Sequence, residues 1–340
     1  MNNYSIRYRA GIVGFRGYSG SELVRLLKHH ACVEPVLLEH RHDSADSATP
    51  LNTQPLPRVP FTAGAVKSEN LAVVFLATPA EVSMELAPEL LAAGAKVIDL
   101  SGAFRFADAD TYSRWYKEPH GAPAWLSQAV YGLPEFCRQG IAGARLVANP
   151  GCYPTAANLA IQPLIAAGIV ERGAGLVCDA KSGVSGAGRK ARLQTSFCEV
   201  TANFSAYSVL DHRHVPEILM ISKLEEGELS FSAHLIPIDR GILETIYFRA
   251  RNISSVADLL AVYRERYSKE PFIRLYEPGV LPDIRGVDRT NFCDIGVRFD
   301  PASGRAVVVS VIDNLVKGAA GQAIQNMNLL LGVNETEGLL

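Results

Sequence analysis

Five short apolar runs in the first 150 residues alternate with stretches of helical period, an order that points to a parallel, doubly wound sheet. The runs lie at 9–13, 35–39, 72–77, 96–100 and 145–148. Residues 18–30 carry Leu23, Leu26, Leu27 and His30 at helical spacing, and 80–93 form a second helical stretch closed by Gly94. The segment 43–61 is rich in Pro, Ser and Thr and is expected to be loop.

Beyond residue 150 the pattern changes. In 229–237, Phe231, Ala233 and Leu235 alternate with Ser230, Ser232 and His234. In 293–299, Cys293, Ile295, Val297 and Phe299 alternate with Asp294, Gly296 and Arg298, and 306–312 is a further strand. Period-two alternation predicts strands with one covered and one wet face, hence an α+β domain with a mixed or antiparallel sheet. A sheet face of this kind can pack on another subunit, so an oligomer is expected. A final helix spans 316–331, with Ala320, Ile324, Met327 and Leu331 on its apolar stripe. The 340 residues therefore divide into a nucleotide-binding domain, 1–150, and a second domain, 151–314.

Composition removes several classes of function. Lys and Arg total 33 against 35 Asp and Glu, so neither a nucleic acid nor a membrane surface is an expected partner. Residues 1–10 have no apolar core of a signal peptide, and no stretch reaches the roughly 18 uninterrupted apolar residues of a membrane span. The cysteines, at 32, 137, 152, 178, 198 and 293, show neither CxxC pairs nor zinc-ligand spacing, which fits a reducing cytoplasm and no metal.

Two segments carry chemistry. Gly11-Ile-Val-Gly14-Phe15-Arg16-Gly17-Tyr18-Ser19-Gly20 joins the first strand to the first helix. Glycines there permit a tight turn, and the helix start presents free N–H groups to a pyrophosphate. At the end of the second strand, Glu39 suits a ribose hydroxyl, whereas Arg41 suits the 2′-phosphate of NADP. The second segment is Asn149-Pro150-Gly151-Cys152-Tyr153-Pro154-Thr155, which follows a short strand and enters a helical pattern at 155–165. Pro154 marks a first turn, so Cys152 lies at a helix N-terminus, where a thiolate is stabilised.

A thiolate needs a proton partner, and Asp211-His212-Arg213-His214-Val215-Pro216-Glu217 is the densest titratable cluster. Either histidine can serve, with Glu217 orienting an imidazole. The loop 181–189, from Lys181 through Ser182, Ser185 and Gly186, can wrap an anion or approach a flat ring. Arg105, just past a strand end, suits a carboxylate or phosphate.

These segments together resemble the N-acetyl-γ-glutamyl-phosphate reductase family, relatives of aspartate-semialdehyde dehydrogenase. The blocks are GFRGYSGSEL from Gly14, FLATP from Phe75, DLSGAFR from Asp99, YGLPE from Tyr131, NPGCYPTA from Asn149, KSGVSGAGR from Lys181, HRHVPEI from His212 and DNLVKGAAGQAIQNMN from Asp313. The resemblance implies a Rossmann-like domain plus an α+β catalytic domain, with 315–340 packing back on the first. It implies NADP(H), an acyl phosphate substrate, inorganic phosphate as co-product and a homodimer or homotetramer. Cys152 matches the family's nucleophile and the HRHVPE block its acid/base region. Arg105 matches a substrate-anion arginine, and Asn149 and Ser182 are assigned to the substrate with it. Gly14 to Gly20, Ala77, Thr78, Pro79, Ser101, Gly102, Ser185, Gly186, Asn314 and Lys317 are assigned to the nucleotide. Within the same chemistry the acyl group can instead be aspartyl, or a carrier-linked aminoadipyl or glutamyl group. A phosphate-independent aldehyde dehydrogenase and a non-catalytic redox sensor built on Cys152 are the alternatives outside it.

Overall fold

The computed structural model describes residues 8–40 and 56–340. The chain forms two compact units. One comprises 1–109, 120–149 and 323–340, and the other 110–119 and 150–322.

The first unit is built on a seven-stranded sheet whose described pairings are all parallel. Its strands are β1 (Tyr8–Val13), β2 (Val33–Glu39), β3 (Arg58–Pro60), β4 (Leu71–Leu76), β5 (Lys96–Asp99), β6 (Ala129–Tyr131) and β7 (Leu146–Ala148), in the order β3-β2-β1-β4-β5-β7-β6. Strand β4, Leu-Ala-Val-Val-Phe-Leu, is almost wholly buried, as a parallel strand covered on both faces must be. Strand β3 corrects the expectation of loop throughout 43–61; three residues without alternation leave no periodic signal. The order reverses between β1 and β4, which opens a crevice at their carboxyl ends. The C-terminal helix (Gly321–Leu331) is fastened to this unit by polar contacts as well as by its stripe. The Asn326 amide donates to Gly132 O at 2.8 Å and to Asn149 Oδ1 at 3.0 Å.

The second unit holds a mixed sheet in the order β12-β13-β14-β11-β8-β10-β9. Its strands are β8 (Leu176–Ser182), β9 (Ser205–Tyr207), β10 (Leu229–Leu235), β11 (Ile242–Arg249), β12 (Ile273–Leu275), β13 (Cys293–Asp300) and β14 (Arg305–Ile312). Lys181 and Ser182, expected in a loop, close β8. The helix Cys152–Ala166 lies on the sheet's inner face and is buried on nearly all sides. Three buried hydroxyls reach its carbonyls: Ser310 to Ala156 at 2.9 Å, Tyr263 to Ala160 at 2.5 Å and Tyr267 to Leu159 at 2.6 Å.

The wet face expected along β13 is only partly wet. Asp294 and Gly296 are buried there. Arg274 and the Tyr276 hydroxyl close on the Asp294 carboxylate, and a Cβ on Gly296 would stand 2.6 Å from Pro282. A folded-over segment thus replaces water. The expected last helix is also interrupted. Its first turn, Val316–Ala320, is wound as a π-turn, with Ala320 N–H donating to Leu315 O at 2.8 Å and Gly321 N–H to Val316 O.

Candidate active site

In the first unit, Gly14 ends β1 at φ +80°, and a Cβ there would meet Ala77 O at 2.3 Å. Only glycine accepts both the left-handed backbone and that approach of the loops after β1 and β4. Gly20 is held as tightly, its hypothetical Cβ lying 2.2 Å from Gly14 O. The helix Tyr18–Leu27 starts with no side-chain cap, so its first N–H groups are the donors an anion needs. Around this turn lies a cavity of about 280 Å³, lined by Gly14, Phe15, Arg16 and Gly17, by Glu39 and His40, and by Ala77, Thr78 and Pro79. Tyr18 and Ser19 open the helix beside it.

The acidic end of β2 is neutralised. Arg16 pairs with Glu39 at 3.1 Å, Arg58 approaches it to 3.7 Å, and both guanidinium groups lie over the Phe15 ring. Arg41 lies outside the described residues. Arg58 was missed in the sequence because it sits on short β3.

Ser101 shapes the turn after β5, its hydroxyl donating to Asp99 at 2.7 Å and its backbone N–H to the same carboxylate at 3.1 Å; Gly102 follows in that turn. Arg105 spends Nε on Asn149 O at 2.9 Å and Nη2 on Leu100 O at 3.2 Å. It braces strand ends of its own unit, as does Asn149, whose side-chain oxygen accepts from Asn326.

In the second unit a cavity of about 760 Å³ is lined by Cys152, Tyr153, Ser182, Gly186, Tyr207, His212 and His214, with Lys117, Arg192 and Arg213 supplying cations. Cys152 is the first residue of its helix, one earlier turn than the pattern from 155 showed. Glu217, fully buried, accepts the Gly151 N–H at 2.9 Å. Its carboxylate therefore holds the backbone just before the residue that carries the thiol, while the helix itself has no side-chain cap. The His214 ring packs on Gly151, where a Cβ would stand 2.7 Å from Nε2. Glycine at 151 is what lets the imidazole approach the cysteine's own backbone.

The two histidines are not equivalent. His212 Nδ1 accepts the His214 backbone N–H at 3.1 Å, which leaves its proton on Nε2. Its ring sits among Tyr153, Tyr207 and Phe231, and burial, with Arg213 adding to it, lowers its pKa to about 4. His212 is thus held toward its neutral form. Its unfolded-state pKa near 6.5 exceeds the folded value of about 4, so its contribution to stability is full above 6.5 and is lost as pH falls through the folded pKa. That difference corresponds to about 3 kcal/mol. Urea denaturation at stepped pH is expected to show this slope between pH 6.5 and 4, and His212→Asn is expected to flatten it. An unchanged slope in the variant would remove His212 as its source.

Sequence reading missed Tyr207, Lys117 and Arg192. The Tyr153 and Tyr207 hydroxyls meet at 2.9 Å, and burial pushes the Tyr207 pKa up to about 12. Tyr207 sits on a three-residue strand and the two cations in aperiodic segments, so no spacing pointed to them.

Other expected ligands have partners within the protein. Asn314 donates to Ser185 Oγ at 2.9 Å and accepts the Gly241 N–H at 2.7 Å, which pins the loop after β8. Ser182 Oγ turns to Gly183 O at 3.0 Å. Lys317, expected at the nucleotide, is wholly buried with its ammonium 5.6 Å from the Phe272 ring centre. Among the described residues no group of three or more His, Cys, Asp or Glu side chains has metal-binding geometry.

The semialdehyde dehydrogenase NAD binding domain family matches residues 9–144, and the semialdehyde dehydrogenase dimerisation domain family matches 152–314. The chain is 48% identical over 339 residues to the N-acetyl-gamma-glutamyl-phosphate reductase of Symbiobacterium thermophilum, covering 98% of this chain and 97% of that protein. It is 46% identical over 347 residues to that of Desulforudis audaxviator, with 98% of each covered. Among solved structures, aspartate semialdehyde dehydrogenase II of Vibrio cholerae superposes with a TM-score of 0.73 at 18% identity, over 96% of this chain and 99% of that one. The enzyme of Candida albicans, solved with NADP, gives 0.69 at 18% over 96% and 98%.

Proposed function

The chain belongs to the N-acetyl-gamma-glutamyl-phosphate reductase family, and from that premise we propose that it reduces N-acetyl-γ-glutamyl phosphate to N-acetylglutamate γ-semialdehyde with NADPH, releasing phosphate, as a step of arginine biosynthesis. The observation that carries the reading is Cys152 at an uncapped helix start with the His214 imidazole packed on the preceding glycine.

The first unit's cradle fits a nicotinamide dinucleotide. Gly14 and Gly20 leave no room for a Cβ, and the helix start offers N–H groups to a pyrophosphate. Arg16 and Arg58 offset the charge of Glu39, which supports a 2′-phosphate. Bound NADPH supplies the hydride that turns an enzyme thioester into a thiohemiacetal.

The chain's own residues do the rest. The Cys152 sulphur attacks the γ-carbonyl carbon, and the N–H groups of the helix's first turn stabilise the oxyanion. The C–O bond to phosphate breaks, and Lys117, Arg192 and Arg213 receive the departing anion in the cavity. His214 protonates the thiohemiacetal oxygen and takes the proton back as the C–S bond breaks, which frees the aldehyde and the thiolate. His212 holds the His214 backbone, and Glu217 holds the turn at Gly151.

The wet outer face of the second sheet exposes Val177 and Tyr247, and the match to a dimerisation domain supports pairing of two copies through this unit. No helix among the described residues is long and apolar enough to cross a membrane. The likeness to biosynthetic reductases supports a cytoplasmic enzyme.

The test runs the reaction in reverse. N-acetylglutamate γ-semialdehyde, phosphate and NADP+ are expected to yield NADPH, with aspartate semialdehyde at least about 100-fold poorer in kcat/KM. Equal rates without phosphate would sink the acyl-phosphate reading, and preference for aspartate semialdehyde would change the substrate.

A further inference from the structure

Cys152 is held from a side the mechanism does not use. The turn after β14 begins at Asp313, a fully buried carboxylate. Its Oδ1 accepts the N–H groups of Leu315 at 2.8 Å and Val316 at 3.1 Å. Its Oδ2 accepts from Arg240 Nη1 at 3.1 Å and from the Arg289 N–H at 2.7 Å. The Gly318 N–H closes the turn on Asp313 O at 2.9 Å. So many charge-assisted bonds on one buried carboxylate hold the loop to one geometry. The π-turn Val316–Ala320 then carries Gly318, which is buried.

Gly318 lands on the nucleophile. A Cβ there would stand 2.8 Å from Cys152 Cβ, 3.3 Å from Cys152 Cα and 3.3 Å from Ile312 Cδ1. Gly318 is described at no positive φ, so space and not backbone conformation excludes a side chain. At the preceding residue, Gly151 admits the His214 ring in the same way. The helix start that bears the thiol is therefore approached by an imidazole and by a π-turn, each let in by a missing Cβ.

We propose that the Asp313–Gly318 turn positions Cys152, Gly318 acting by direct contact with its Cα and Cβ so that the sulphur faces His214 and the substrate. The proposal rests on Cys152 being the nucleophile. Gly318 is a positioning residue, since nothing it carries touches reacting atoms.

Gly318→Ala in the full-length protein tests it. The turnover number kcat is expected to fall about 10- to 100-fold with KM within about threefold, since a displacement below an ångström misaligns attack without removing a binding group. Alkylation of the Cys152 thiol by iodoacetamide is expected to slow several-fold at neutral pH, and the midpoint of its pH profile to move upward, because the sulphur leaves the helix's positive end. Normal kcat with a normal alkylation profile would overturn the proposal. Restoration by Ile312→Val added to Gly318→Ala would also overturn it, because that change relieves only the overlap with Ile312. Should Gly318→Ala not fold, Asp313→Asn adds no atom and loosens the same turn; a shifted alkylation profile supports the proposal and an unshifted one overturns it. Alkylation reads the thiol without turnover, whereas an active Cys152→Ser would refute the nucleophile reading itself, so the two failures are separable.

Discussion

Cys152→Ser is expected to lower kcat by at least about 1,000-fold while NADPH binding stays within about twofold of wild type. Serine keeps the side chain's shape at a half-buried helix start, so the fold is not the casualty. Its hydroxyl is not ionised near neutrality, and the partial charge of a helix N-terminus is too small to ionise it. A thiolate is also the better leaving group when the thiohemiacetal collapses, so both halves of the reaction suffer. The nucleotide cradle belongs to the other compact unit, which is why binding survives. Steady-state rates and titration of NADPH fluorescence check both parts. Activity within tenfold of wild type would end the covalent mechanism.

His214→Asn is expected to cost about 100- to 10,000-fold in kcat, the range for loss of a positioned general acid–base. Asparagine is smaller than imidazole, so it relieves rather than strains the contact at Gly151. KM is expected to move little, since the ring holds no substrate anion. His212→Asn provides the contrast: its expected signature is in stability against pH, because its imidazole is neutral and already accepts a backbone hydrogen bond. A larger kcat loss at 212 than at 214 would exchange the two roles. Kinetics of both variants against pH, alongside their denaturation curves, decide it.

Much of the site was legible in local sequence. Gly14 and Gly20 occupy positions that only a residue without Cβ can take, and such positions recur at fixed spacing between a strand and a helix. Cys152 was legible because a strand end, a glycine and a first-turn proline surround it. Other parts were not. Strands β8 and β11, at the centre of the second sheet, were not predicted: 181–189 reads as glycine-rich loop. The even face of β13 alternates as a wet face does, yet Pro282 and Arg274 cover it from a distant segment. Lys317 was assigned to the nucleotide by resemblance alone, and no local pattern showed that its side chain lies buried over Phe272.

The division has a physical basis. Sequence by itself determined what short-range sterics and periodicity govern: the alternating α/β grammar of the first unit, the glycine turn, and a cysteine at a helix start. Tertiary structure alone decided that burial lowers the His212 pKa, and that Glu217 accepts the Gly151 N–H. It also brought Gly318, 166 residues along the chain, against Cys152. Desolvation and close contact depend on which distant segments share a space, and no local pattern of residues encodes that.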